Sequence, residues 1–191
     1  MIIVNNAAMN IHTIFTPRLQ IRPIKESDAA DVIEILGDRE TAELGAIEPI
    51  TNMEAALGYA TRETIDGQKF VMVREHGAPE VVGIIELYPK SNLFGPYCIE
   101  GSYCLGYYTR KNQRGNGFMT EAVNALKREL FERGVSELTV GIIPRNEASK
   151  RVALKCGLTY DFFVEDFLVF DDGRKVDIEF FSRTNPNYTA S

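Results

Sequence analysis

GYYTRKNQRGNGFMTEAVNAL, residues 106–126, decides how the rest of the chain is read. Residues 106–109 close a Tyr-rich, β-favouring run, and residues 110–117 form a polar segment holding Gly115 and Gly117. From Thr120 onward Ala122, Val123, Leu126, Leu130 and Phe131 recur at helical spacing. A strand, a glycine loop and a helix start in this order make an anion site. Glycines let the backbone come close to a ligand and turn several N–H groups inward. The helix N-terminus adds unpaired donors and a positive dipole end. Arg114, with Arg110 and Lys111 just upstream, supplies formal charge. The segment therefore predicts phosphate binding, but not which phosphate.

Two familiar phosphate loops are excluded. A P-loop needs Gly-Lys-Ser/Thr after its second glycine, where this chain has Phe118 and Met119. A dinucleotide fingerprint needs a third glycine where Thr120 stands. A tight strand-to-helix turn that binds nothing is the bland reading of the same loop.

Charge favours the binding reading without proving it. Residues 110–155 carry ten Lys/Arg against five Asp/Glu, a local +5 inside a chain of net −6. The remainder carries 11 Lys/Arg against 22 Asp/Glu, −11, which suits cationic partners rather than nucleic acid.

The other bulk properties narrow the class. A length of 191 residues, 45% hydrophobic and 25% charged, suits one globular domain over residues 1–191, with an ordered core at about 14–183. The start, MIIVNNAAMN, lacks a basic n-region, and no apolar run is long enough to span a bilayer, so a cytoplasmic protein is expected. Cys98, Cys104 and Cys156 are odd in number with no CxxC spacing, and His12 and His76 are isolated, so no metal site is expected.

Working outward, residues 19–24 alternate as a half-buried strand does, and Ser27 or Asp28 caps a helix that Gly37 stops. Thr51 and Glu54 form a capping box for a second helix running to about Asp66. FVMVREHG and VVGIIELYP read as a hairpin turned at residues 76–79. Residues 91–96 read as loop and 97–109 as a long strand. A short strand at 137–143 and a helix at 146–156, with Gly157 as C-cap, follow. A terminal hairpin pairs residues 158–170 with 174–182. This order predicts an α/β chain: a mixed, mainly antiparallel central sheet with helices on both faces and a C-terminal hairpin.

TPRLQIRPIKESDA, GYYTRKNQRGNGFMTEAVNAL and PRNEASKRVALKCGL stand in an order and spacing that resembles the GNAT N-acetyltransferases over nearly the whole chain, most closely the RimJ/RimL branch. The resemblance implies acetyl-CoA as acetyl donor, with the pyrophosphate on Arg114, Gly115, Asn116, Gly117, Phe118 and Met119. Met119 departs from the Gly/Ala of the family loop, a departure that backbone donors tolerate. The resemblance also implies that Tyr108 and Thr109 hold the pantetheine arm, where an N–H would polarise the thioester carbonyl. Tyr103 and Tyr107 are read as packing.

Asn146, Ser149 and Ala153 share one helix face. Many family members have a tyrosine at the position of Ala153 that protonates the leaving thiolate. The resemblance moves that role to Ser149, with Asn146 bridging helix and cofactor; a surface serine and a capping asparagine are the bland alternatives. The branch often carries a Glu just before the Gly-Tyr strand, where this chain has Cys104, which leaves Glu86 as the best remaining carboxylate for a base. The favoured reading of Glu86 is a solvated strand residue, and a water chain is an equal candidate for the base.

The implied acceptor is a primary amine, either a protein N-terminus or a small molecule such as a polyamine, amino acid or antibiotic. A non-catalytic acyl-CoA module is the reading from a different class. A homodimer is left open.

Overall fold

Residues 68–74, QKFVMVR, place Phe70 and Met72 on one side of a strand and Val71 on the other, and all three are fully buried. A strand buried on both faces needs cover on both. The computed structural model describes residues 10–62, 67–77 and 79–189 and supplies that cover.

In chain order the elements are β1 (Ile14–Phe15), β2 (Leu19–Pro23), α1 (Ala29–Leu36), α2 (Arg39–Gly45) and α3 (Met53–Thr61). Next come β3 (Gln68–Arg74), β4 (Val81–Pro89), α4 (Ser91–Phe94), β5 (Ser102–Thr109) and α5 (Phe118–Glu132). The last are β6 (Glu137–Ile142), α6 (Glu147–Lys155), β7 (Thr159–Val169) and β8 (Lys175–Thr184). The strands form one eight-stranded sheet in the order β1-β2-β3-β4-β5-β6-β8-β7. Every neighbouring pair is antiparallel except β5 and β6. The mixed, mainly antiparallel sheet is as the sequence predicts.

One face packs on α5 and α6. Phe118, Ala122, Leu126 and Ala153 join Ile21, Phe70 and Leu105 there. The other face packs on α1 and α3 through Val32, Ile35 and Ala56 against Val71, Ile84 and Tyr108. A third cluster gathers around Phe180 of β8, whose ring stacks on Phe162 at 4.7 Å.

Several boundaries differ from expectation. Helix α2 was not foreseen: Asp38 caps it by accepting from the Thr41 N–H. Helix α3 is capped by Asn52, which accepts from Ala55, rather than by Thr51, and it ends at Thr61. The expected end near Asp66 lies outside the described residues, as does Ala78 in the β3–β4 turn. Strand β5 begins at Ser102 instead of residue 97, because Gly95 (φ +61°) and Gly101 (φ +72°) turn the chain first.

The feature that positions the site is a parting of strands. The β5–β6 register runs from Ser102–Glu137 to Leu105–Val140. Strand β5 then continues with β4 as far as Thr109, while β6 continues with β8 through Ile142.

Candidate active site

The glycine loop leads from the free end of β5 to α5. Gly115 (φ +81°) and Gly117 (φ +77°) both occupy the left-handed region that favours glycine. Gly117 is the N-cap of α5, and no side chain caps that end. The first-turn N–H groups of α5 thus lack intrahelical acceptors and form an anion cradle. The loop is fastened from the β1–β2 hairpin. Arg18 donates to the Asn116 carbonyl at 2.9 Å and to Glu121 at 2.6 Å, and lies over the Phe118 ring at 4.7 Å. Thr16 donates to the same Glu121 carboxylate at 2.6 Å.

The cations of this loop are less free than the sequence suggests. Arg114 donates to Glu40 at 3.0 Å and to the Thr41 hydroxyl at 2.8 Å, and Lys111 pairs with Asp38 at 3.1 Å. The Thr41 hydroxyl, the Thr41 amide and the Lys111 ammonium hold the Asp38 carboxyl down at about 2 against the cost of its burial. Arg110 is buried and turns away from the cleft, pairing with Asp31 and Glu34 of α1 and donating to the Val81 carbonyl at 2.6 Å.

A cleft of about 480 Å³ runs along the loop and the end of β5, with Thr109, Arg114, Gly115, Gly117 and Met119 on its wall. Asn146 and Ser149 of α6 line it from the opposite side. Asn116 is not part of this lining; its side chain donates to the Gln113 carbonyl at 3.1 Å. Asn146 caps α6 by accepting from the Ser149 N–H at 3.1 Å, and its amide donates to the Leu44 carbonyl of α2 at 3.1 Å. The capping account of Asn146 is thus observed, together with a place on the cleft wall. The Ser149 hydroxyl donates to the Tyr107 hydroxyl at 2.9 Å. Burial pushes the Tyr107 phenol up, so it stays protonated.

Behind Ser149 lies an inner chamber of about 210 Å³, opening where β5 and β6 part. It shares Ser149, Asn146 and Tyr107 with the cleft. It also shares Ala46, Ile47 and Ile143 with an outer groove of about 1120 Å³ between α2 and the β7–β8 hairpin. Cleft and chamber therefore share one wall, and chamber and groove share another.

Glu86 lines the chamber, not the cleft. It is held there rather than solvated: Tyr59 donates to one carboxylate oxygen at 2.7 Å and Tyr108 to the other at 3.2 Å. A Cβ on the facing Gly106 would lie 3.0 Å from that carboxylate, so the absence of a side chain leaves it room. Cys104, at the position where a Glu was sought, is buried, and burial pushes its thiol up to about 12. It stays neutral and cannot serve as a base near pH 7.

Tyr59 and Tyr107 were missed from sequence. Tyr59 sits on α3, far from any motif, and nothing local marks it. Tyr107 had a signal: with Gly106 it opens the GYYT run, and strand alternation aims it at the helix that carries Ser149. Helix α2 presses close to this site as well; a Cβ at Gly45 would meet the Tyr108 ring at 2.5 Å.

Comparison with known proteins agrees with this geometry. The sequence model of the acetyltransferase (GNAT) domain matches residues 18–159. No curated protein matches the chain in sequence. Among solved structures, an acetyltransferase of the GNAT family from Bacillus anthracis superposes with a TM-score of 0.75 at 19% identity, covering 91% of this chain and 98% of its own. RimL, a ribosomal L7/L12 α-N-protein acetyltransferase in complex with coenzyme A, has a TM-score of 0.71 at 16% identity, covering 91% and 98%. The microcin C7 self-immunity acetyltransferase MccE, in complex with acetyl-CoA and AMP, has a TM-score of 0.70 at 17% identity, covering 88% and 93%. Among the described residues no helix is long and apolar enough to cross a membrane. With a family match over most of its length and a glycine loop set at the parting of β5 and β6, the chain belongs to the GNAT acetyltransferases, a family of acyl-CoA N-acyltransferases.

Proposed function

We propose that this protein moves the acetyl group of acetyl-CoA directly to a primary amine, and that the amine is a protein N-terminus. The residues present suit the donor. An uncapped helix start behind two left-handed glycines fits a pyrophosphate, and the cleft along β5 offers room for an extended arm. The donor supplies the activated acyl thioester. The loop of Arg114, Gly115, Asn116, Gly117, Phe118 and Met119 binds its phosphates, and Tyr108 and Thr109 bind the arm through their backbone. Ser149 carries a proton at Oγ that rests on the Tyr107 hydroxyl and swings to the departing thiolate. Glu86 takes the proton that the acceptor ammonium must lose.

The observation that carries this reading is the chamber's position, sharing one wall with the cleft and another with the outer groove. In this reading donor and acceptor enter from opposite sides and meet beside Ser149. The wide outer groove favours an acceptor that continues beyond its amine, as a peptide does. An α-amine of pKa about 8 is also partly neutral at pH 7, whereas a lysine amine near about 10.4 is not. The chamber by itself would seat a small amine, the second reading. A cytoplasmic setting goes with either acceptor.

Thermal unfolding tests the donor. Acetyl-CoA at about 100 times its Kd should add about 2.7 kcal/mol of stability, while NAD and ATP should add none. Free-thiol release across peptide N-termini, polyamines and amino acids then separates an enzyme from a non-catalytic acyl-CoA module. Absence of an acetyl-CoA shift would overturn the assignment.

A further inference from the structure

We infer that the acceptor carries an apolar side chain on its amine-bearing carbon, and that the inner chamber behind Ser149 is the subsite that receives it. This rests on the transferase reading above and names its substrate class more closely.

The chamber's lining supports it. Among the described residues around it, Glu86 is the sole charged one. Both of its carboxylate oxygens already accept a tyrosine hydroxyl, which leaves their remaining lone pairs for the acceptor's ammonium. Its near side carries tyrosine hydroxyls, Asn146 and Ser149, and its far wall is apolar: Leu93, Leu105, Phe167, Ile178 and Phe180. That wall is also fixed in shape. Phe180 stacks on Phe162 at 4.7 Å and meets Phe167 edge-on at 5.0 Å, and Phe94 packs on both Phe167 and Phe180.

Size and chemistry then select. A dry apolar cavity of about 150 Å³ holds a benzene ring, so about 210 Å³ takes a Leu, Met or Phe side chain. A serine side chain is too short to reach the far wall and leaves that apolar surface uncovered, and an aspartate would also set a second carboxylate beside Glu86. The outer groove contrasts with the chamber. It carries Arg39, Glu43, Glu48, Arg145, Asp172 and Arg174, and suits the polar backbone and later residues of a peptide.

The test uses peptides identical after their first residue, headed by Leu, Met, Phe, Ser or Asp. Two readouts are taken on the full chain: kcat/KM by thiol release from acetyl-CoA, and Kd by calorimetry in the presence of CoA. Peptides headed by Leu, Met or Phe should exceed those headed by Ser or Asp by about tenfold or more in both. Phe167→Ala should shift the preference toward larger first residues. Leu93→Ser, at a partly exposed wall position, should weaken apolar-headed peptides selectively. Equal or better use of Ser- or Asp-headed peptides would overturn the inference. So would a uniform effect of both variants on all peptides. If acetyl-CoA binds but neither a peptide nor a small amine is acetylated, the transferase reading fails. The calorimetric ranking then decides the subsite by itself: apolar-headed peptides binding tighter supports it, and equal binding overturns it.

Discussion

The Ser149 hydroxyl donates to the Tyr107 hydroxyl at 2.9 Å, and Tyr107 donates back to the Ser149 carbonyl at 3.2 Å. This pair ties the first turn of α6 to β5 just past the point where β5 leaves β6. It places two hydroxyls on the cleft wall one turn before Ala153, which is buried in the core and does not share that wall. If Ser149 serves the thiolate, Ser149→Ala should lower kcat by about 100-fold and leave the Kd for acetyl-CoA unchanged. Tyr107→Phe should cost less, because Ser149 keeps its own proton. Steady-state kinetics with calorimetry checks both variants; full turnover in Ser149→Ala contradicts the role.

Glu86, clamped between Tyr59 and Tyr108, gives a prediction about pH. Glu86→Gln should lower kcat/KM by about 100-fold near pH 7. The deficit should shrink above pH about 8, where an α-amine loses its proton to solvent. Tyr59→Phe should show a smaller loss with the same trend. A deficit independent of pH would assign Glu86 to structure alone.

Arg114 is already paired with Glu40 and bonded to Thr41, so the backbone donors of the loop should carry most of the phosphate affinity. Arg114→Ala should therefore weaken acetyl-CoA by less than about tenfold, in line with the small worth of exposed ion pairs. Glu40→Gln should release Arg114 and tighten binding at low salt. At about 1 M salt, where screening acts within about 3 Å, that gain should vanish. Calorimetry at two ionic strengths reads both effects.

Asp38 sets an acid limb in stability. Its carboxyl is held at about 2, below the unfolded value of about 3.9. Its contribution is therefore complete above about pH 4 and is lost as pH falls toward 2. Asp38→Asn should lower the melting temperature at pH 6 and flatten the decline between pH 4 and 2, seen by thermal unfolding across that range.

The parts of this site that were legible in sequence are those fixed by local backbone. Gly115 and Gly117 announce a loop needing positive φ, and Asn146 announces a helix start. The β-rich run FVMV announces a strand, which the structure buries on both faces. Helix α2 was not legible. It has seven residues, ends on Gly45, and closes with Ala46 at φ +54°, so no apolar period is long enough to read. The grip of Glu40 on Arg114 and of Tyr59 on Glu86 joins residues 74 and 27 positions apart, and only tertiary packing brings them together. Strand β5 was read too long because Gly95 and Gly101 turn a run whose composition favours β structure.

The most direct test of the account is acetyl transfer itself. Acetyl-CoA and a Leu-headed peptide should yield free CoA thiol and acetylated peptide in equal amounts, with tandem mass spectrometry locating one acetyl group on the α-amine. Ser149→Ala and Glu86→Gln should each slow this reaction while still binding acetyl-CoA. Binding of acetyl-CoA by the unaltered protein with no acetylated product, on peptides and small amines alike, would contradict it.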